Sequence, residues 1–311
     1  MNNKECARLL LKKDNILLLT HKNPDGDTVG SAAALCSALR RAGKNAVLYD
    51  NPQFTKKLRP YAEEFVAPKD FAPDYVVAVD IAEPSLFPNG YEGRADLCID
   101  HHPSNSHYAA ETLLGAEKAA CGEVIFKLIK AMELKITRTE ATLLYIAIST
   151  DTGCFLYNNT KADTFAAASE LLRAGADSAA VNLAFFRKVS AARIRLEGLM
   201  YNAMRFYRDG KITIVTVTKA MLEESGVGED DLDDLSGLAG RVEGSVVSVT
   251  IREGDEGQCR VSVRSGKEVN SSTICSAFGG GGHAAAAGCT IQATPEKAAE
   301  MLLDVINEVW K

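Results

Sequence analysis

Short apolar runs alternate with helical stretches through the first half of the chain. Residues 15–20 read N-I-L-L-L-T, 45–49 N-A-V-L-Y, 75–80 Y-V-V-A-V-D and 95–100 A-D-L-C-I-D. None alternates apolar with polar, so each reads as a strand covered on both faces. Helices between such strands suit a parallel sheet. The first helix is predicted over 28–42, rich in small residues and stopped by Gly43. Further helices are predicted at 118–133, 139–149, 161–174 and 178–187.

The pattern changes after about residue 200. R-F-Y-R-D-G-K-I-T-I-V-T-V-T (205–218) reads as a hairpin turning at Asp209-Gly210. Two more strands, 245–253 and 258–265, are joined by the turn-rich G-D-E-G, and a helix is predicted over 294–310. The expected architecture is α/β: a mostly parallel-sheet N-terminal domain with flanking helices (1–185), a helical linker (186–200) and a smaller α+β domain (201–311). Arg187, Lys188, Arg193 and Arg195 crowd the joint. They read either as a solvated helix face or as positive potential at the mouth of a cleft.

Composition narrows the function classes. The 311 residues carry a formal charge of −6 with a pI near 5.5. That argues against a broad grip on long nucleic acid, where a basic face supplies most of the affinity, but leaves short oligonucleotides open. The eight cysteines contain no C-x-x-C pair, so neither structural zinc nor a redox motif is signalled. A chain this long needs no disulfide staples. No apolar run reaches the length of a membrane span, and no signal peptide opens the chain. A reduced, cytoplasmic protein without a membrane partner is expected.

Candidate chemistry gathers at the strand ends. The first strand runs into H-K-N-P-D-G-D (21–27), the third ends at Asp80, and the fourth ends at Asp100, followed by His101 and His102. Asp151 ends a helix and opens the turn D-T-G. The carboxyl ends of neighbouring parallel strands open on one crevice, so these groups are expected to converge. Carboxylates crowded there repel one another. Two divalent cations would resolve the conflict, and Asp/His donors without thiolates favour Mn²⁺, Mg²⁺ or Fe²⁺. Taken alone, H-K-N-P-D-G-D also reads as an ordinary turn, and Asp80 as a helix cap. Farther on, G-G-G-G-H (279–283) reads as a backbone nest for an anion, with His283 and the strand-end Arg264 as added donors.

H-x-x-x-D-x-D (His21, Asp25, Asp27), Asp80, D-H-H (100–102) and Asp151 resemble the motifs of the DHH phosphoesterase superfamily. A-F-G-G-G-G-H-A-A-A-A-G (277–288) resembles the G-G-G-H motif of the DHH-associated C-terminal domain. Chain length and the absence of extra domains look most like the oligoribonuclease (nanoRNase)/pAp phosphatase branch. The resemblance implies one metal held by His21, Asp25, Asp80 and Asp151, and a second by Asp27, Asp80, His101 and Asp151, with Mn²⁺ the first choice. It implies a bridging Asp80, an Asp100 that orients His101, and a His102 facing the substrate phosphate. Arg264, Ser265, Gly280, Gly281, Gly282 and His283 would hold the substrate, with Asn270 and Ser272 as further contacts. The active site would lie in a cleft between the domains.

The implied reaction is hydrolysis of short RNA to nucleoside monophosphates and of 3′,5′-bisphosphoadenosine (pAp) to AMP. Homodimer formation is left open. A cyclic-di-AMP or pApA phosphodiesterase would use the same site. A DHH-type pyrophosphatase is disfavoured by G-G-G-G-H, and a RecJ-type exonuclease by the lack of a basic surface. A non-catalytic nucleotide sensor is disfavoured by the intact motif side chains, and a tRNA-contacting module leaves the first-half carboxylates unexplained.

Overall fold

The structure, a computed structural model, describes residues 1–228, 231–232 and 235–310. The chain divides into two compact units, Met1–Lys188 and Val189–Lys311. Among the described residues no helix is long and apolar enough to cross a membrane.

The first unit contains α1 (Asn3–Leu10), β1 (Ile16–Leu19), α2 (Gly26–Arg41), β2 (Ala46–Leu48), α3 (Arg59–Ala62), β3 (Tyr75–Val79), β4 (Leu97–Asp100), β5 (Glu111–Leu114), α4 (Cys121–Ala131), α5 (Arg138–Asp151), α6 (Ala162–Arg173) and α7 (Ser178–Asn182). The five strands form a parallel sheet in the order β2-β1-β3-β4-β5. Successive strand residues feed two cores. Ile16, Leu18, Val77 and Val79 pack on one side, while Leu17, Leu19, Val76 and Ala78 pack on the other against Phe87 and Tyr108. Double coverage is why these strands lack polar alternation. The strand order reverses between β1 and β3, and such a switch point opens a crevice at the strands' carboxyl ends.

Helix packing sets the walls of that crevice. Helix α2 starts two residues before the position its sequence predicts, because Asp25 caps it by accepting the Asp27 and Thr28 amides. It is buried along almost its whole length against α5 and α4. Gly30 allows the approach: a Cβ there would sit 2.4 Å from the Leu143 carbonyl oxygen. This contact draws the N-terminus of α2 towards the C-terminus of α5, where Asp151 lies.

The second unit contains α8 (Ala191–Ala203), β6 (Arg205–Tyr207), β7 (Ile212–Val217), α9 (Lys219–Ser225), β8 (Val247–Glu253), β9 (Cys259–Ser265), α10 (Ser271–Ser276), β10 (Gly281–His283), β11 (Ala286–Ile291) and α11 (Pro295–Val309). The sheet order is β10-β11-β9-β8-β7-β6, antiparallel except for β7 with β8. Val247, Val249, Ile251, Val261 and Val263 pack beneath Ile274 of α10 and Leu302 and Ile306 of α11. On the opposite face, Val215 and Val217 pack against Leu196 and Met200 of α8. Of the stretch expected as a linker over 186–200, residues 191–200 belong to α8, whose Leu196 and Met200 pack in this core of the second unit. Arg193, expected on a solvated face or at a cleft mouth, is instead buried and pairs with Glu197 at 2.8 Å.

Candidate active site

Four segments of the first unit bring carboxylates and imidazoles together. His21, Asp25 and Asp27 run from the end of β1 into the first turn of α2, Asp80 follows β3, His101 follows β4, and Asp151 ends α5. His21 Nε2 lies 3.6 Å from Asp25 Oδ1 and 3.8 Å from Asp80 Oδ2. His101 Nε2 lies 3.7 Å from Asp27 Oδ2, 3.5 Å from Asp80 Oδ1 and 3.6 Å from Asp151 Oδ2. Among the described residues, three groups keep their donor atoms within 4.8 Å of one another: His21–Asp25–Asp80, Asp27–His101–Asp151, and Asp80–His101–His102.

Second partners fix the orientation of each side chain. His21 Nδ1 meets the Lys22 carbonyl at 2.8 Å, and His101 Nδ1 meets the Lys118 carbonyl at 3.3 Å. With Nδ1–H donating to those carbonyls, each ring turns an Nε2 lone pair into the cluster. Asp27 accepts the Cys121 amide at 2.7 Å, the Gly122 amide at 2.9 Å and the Ser31 hydroxyl at 3.0 Å. Asp80 adopts φ +62°, rare for a residue with a Cβ, and its amide bonds the Ile99 carbonyl. Its buried Oδ1 has no hydrogen-bond partner.

The electrostatics are unbalanced. Burial, reinforced by Asp151 and Asp25, pushes the Asp27 carboxyl well above the usual carboxylate range. Burial and then Asp27, Asp25, Asp100 and Asp151 do the same to Asp80. Burial and Asp25 push Asp151 up to about 7. Two carboxylates at roughly 5 Å repel by about 3 kcal/mol at an effective dielectric near 20. An orphaned buried oxygen among repelling carboxylates and Nε2 lone pairs is a donor set that fits hard or borderline divalent cations.

His102, whose Nδ1 lies 3.5 Å from Asp80 Oδ1, pairs with Asp100 at the edge of the cluster. Asp100 Oδ1 accepts His102 Nδ1 at 2.8 Å and the His101 amide at 2.7 Å, while Oδ2 accepts Asn105 Nδ2 at 2.6 Å. The bond to Asp100, working against burial, holds the His102 imidazole above its ordinary value. Burial opposes ionisation of Asp100, yet His102 and Asn105 keep its carboxyl below the usual range. Asp100 contacts the His101 backbone but orients the ring of His102, not the ring of His101.

In the second unit, Gly281 and Gly282 of the glycine run lie in β10, while Gly279 and Gly280 precede it. Residues 281–283 pair with β11, and at Gly280 and Gly282 a Cβ would meet the Gly288 and Ala286 carbonyls at 2.3 and 2.6 Å. Glycine is required there by close strand contact. His283 is exposed on this strand. Arg264 Nη2 donates to Ser236 Oγ at 3.1 Å. The Ser265 hydroxyl, expected at the substrate, is engaged with the Val269 carbonyl, the Ser271 hydroxyl and the Ala284 carbonyl. Asn270 caps α10 by accepting the Ser272 and Thr273 amides.

The family model "DHH family, N-terminal domain" matches residues 15–148, and the "DHHA1 domain" model matches 209–311. A Thermus thermophilus protein described as "Bifunctional oligoribonuclease and PAP phosphatase NrnA" is 36% identical over 94% of this chain and 89% of that protein. The chain belongs to the DHH family. The Bacillus subtilis "Cyclic-di-AMP phosphodiesterase GdpP" is 25% identical over 97% of this chain but 49% of that protein. An exopolyphosphatase-related protein from Bacteroides fragilis shares the fold, with a TM-score of 0.84, 23% identity, and coverage of 98% of this chain and 96% of that one.

Several groups that shape the site of this DHH chain escape its motifs. Ser31 holds Asp27 from one turn along α2, the spacing at which helix side chains meet. Cys121 and Gly122 act through backbone amides, which no side-chain pattern announces. Asn105 braces Asp100. Asn159 Nδ2 ties the Asp151 carbonyl to that of Ala119 at 3.0 and 3.1 Å, and its place in a polar loop gives no signal.

Proposed function

We propose that this DHH-family hydrolase cleaves short RNA to nucleoside monophosphates and pAp to AMP, acting in the cytoplasm with two divalent cations, manganese first among them. The observation that carries the reading is Asp80: a buried carboxylate with an orphaned oxygen, flanked by His21 on one side and His101 on the other. His21, Asp25 and Asp80 would hold one cation; Asp27, His101, Asp151 and Asp80 would hold the other. Bound there, the cations lower the pKa of an attacking water and offset charge on the phosphoryl oxygens.

The chain's own residues do the positioning. Asp100 favours the protonated form of His102 and fixes its ring through Nδ1; in that form Nε2–H is free to donate to a phosphoryl oxygen or to the departing sugar oxygen. Arg264 and His283 bind the distal phosphate or nucleotide. The close packing of Gly280–Gly282 on β11 holds His283 in place. The geometry favours a supporting role for Ser265 and Asn270, which maintain the turn after β9.

A Mn²⁺ assay across pAp, pApA, cyclic di-AMP, pyrophosphate and RNA of graded length tests this. Fast turnover of pAp and the shortest RNAs is expected. A strong preference for cyclic di-AMP would shift the reading to the phosphodiesterase class named for GdpP, and pyrophosphate preference would overturn it.

A further inference from the structure

Beyond Arg264, the face of the second sheet opposite α10 and α11 carries an unexplained polar chamber. Arg252 and Arg260 stand directly opposite each other across β8 and β9, as do Thr250 and Ser262. Like charges in that register oppose strand pairing. Among the described residues, no carboxylate pairs with either arginine within 4.0 Å; Asp255, whose charge reaches Arg260, is paired instead with Lys219 at 2.7 Å. Arg252, Arg260, Thr250 and Ser262 line a cavity of about 210 Å³, together with Leu232, Leu235 and Ser236. Thr250 is 5% exposed, and its buried Oγ1 has no hydrogen-bond partner.

These features specify a small anion. Two guanidiniums offer planar forks for oxyanion recognition, and two hydroxyls add donors. The chamber is smaller than the roughly 300 Å³ at which sites for whole drug-sized ligands begin. It therefore suits a phosphate group better than a nucleoside. Ser236 belongs to the chamber wall and also accepts Arg264, so chamber and Arg264 adjoin. Arg260 and Arg264 share one face of β9 at a backbone spacing of about 13 Å, within reach of a short extended oligonucleotide.

We propose that Arg252, Arg260, Thr250 and Ser262 form a second phosphate pocket, which holds a backbone phosphate of RNA too long for Arg264 alone. The proposal rests on the reading of the chain as a hydrolase of short RNA and pAp. It makes the open face of β8 and β9 the determinant of oligonucleotide length preference, since pAp has no phosphate to place there.

The test uses the full chain with Asp80→Asn to block turnover, a fluorescent four-residue RNA, and pAp as competitor. Adding Arg252→Gln and Arg260→Gln should weaken RNA binding about tenfold. The slope of log affinity against log salt should become shallower by about 1.4, for two lost cations. Loss of pAp affinity should be no more than a fifth of the RNA loss. Thr250→Val, which keeps side-chain shape and arginine charge, should weaken RNA binding about threefold. With Asp80 restored, the rise in KM for RNA should exceed any fall in kcat. Equal RNA binding with and without the two arginines overturns the pocket while the hydrolase reading stands. Equal losses for RNA and pAp also overturn it, because the arginines would then serve the shared site. Failure of the unmutated enzyme to cleave RNA overturns both readings.

Discussion

The carboxylate cluster of the first unit and the arginine-bearing sheet face of the second are built on opposite plans. Asp27 and Asp80 are buried, held by backbone amides or by a left-handed backbone, and have no freedom to relieve their repulsion. Arg260 and His283 are exposed on β-strands and keep theirs. A preformed, desolvated anionic pocket selects a small cation of fixed geometry. A looser cationic face tolerates anions of varied length. Substitutions in the first region should therefore abolish chemistry, and those in the second should grade affinity.

Asp80→Asn should give the largest effect. Losing several kcal/mol of charge stabilisation should lower turnover of pAp and RNA by about 10³-fold or more. The melting temperature of metal-stripped protein should not fall, since a buried, repelled charge is removed. A mild kinetic loss would show that the cluster is not the reacting centre. Asp100→Asn comes next, with kcat down about 10- to 100-fold, the range for groups that orient site residues. Without its partner, His102 would lose its proton at lower pH, so the basic limb of the kcat–pH profile should move to lower pH. An unshifted profile would detach His102 from the chemistry. Arg264→Ala should raise KM about tenfold with little change in kcat; a matching fall in kcat would place it at the reacting phosphate. Ser265→Ala should be smallest. It should cost about 1 kcal/mol of stability in denaturant titration and leave KM within about twofold, whereas a large KM effect would return Ser265 to the substrate.

The same contrast explains what could be read from the sequence. Strands β1, β3 and β4 were legible because double burial makes them continuous apolar runs, and their acidic ends follow from parallel-sheet geometry. Strand β5 was not: E-T-L-L is short and half-exposed, so it lacks that signature. Strands β10 and β11 were missed because glycine and alanine carry little strand propensity; pairing with β9 forms them. The motif aspartates stood out by residue type, but their separate tasks did not. Asp25 is a helix cap as well as a candidate ligand, and Asp100 has both oxygens engaged, distinctions set by tertiary hydrogen bonds.

The central claim is that the first unit's carboxylates are assembled for cations, and melting with and without metal tests it most directly. In the metal-stripped protein, Asp151 titrates near 7, and Asp27 and Asp80 are also raised. Carboxyls with folded-state pKa values above their unfolded values stabilise the fold in the protonated form, and that stabilisation is lost as pH rises through the folded pKa, for Asp151 from about 4 through about 7. Bound cations displace those protons and reverse the penalty. The account predicts that saturating Mn²⁺ raises the melting temperature at pH 8 by clearly more than at pH 5, and that Asp80→Asn removes most of the difference. A melting temperature that Mn²⁺ leaves unmoved at both pH values would contradict it.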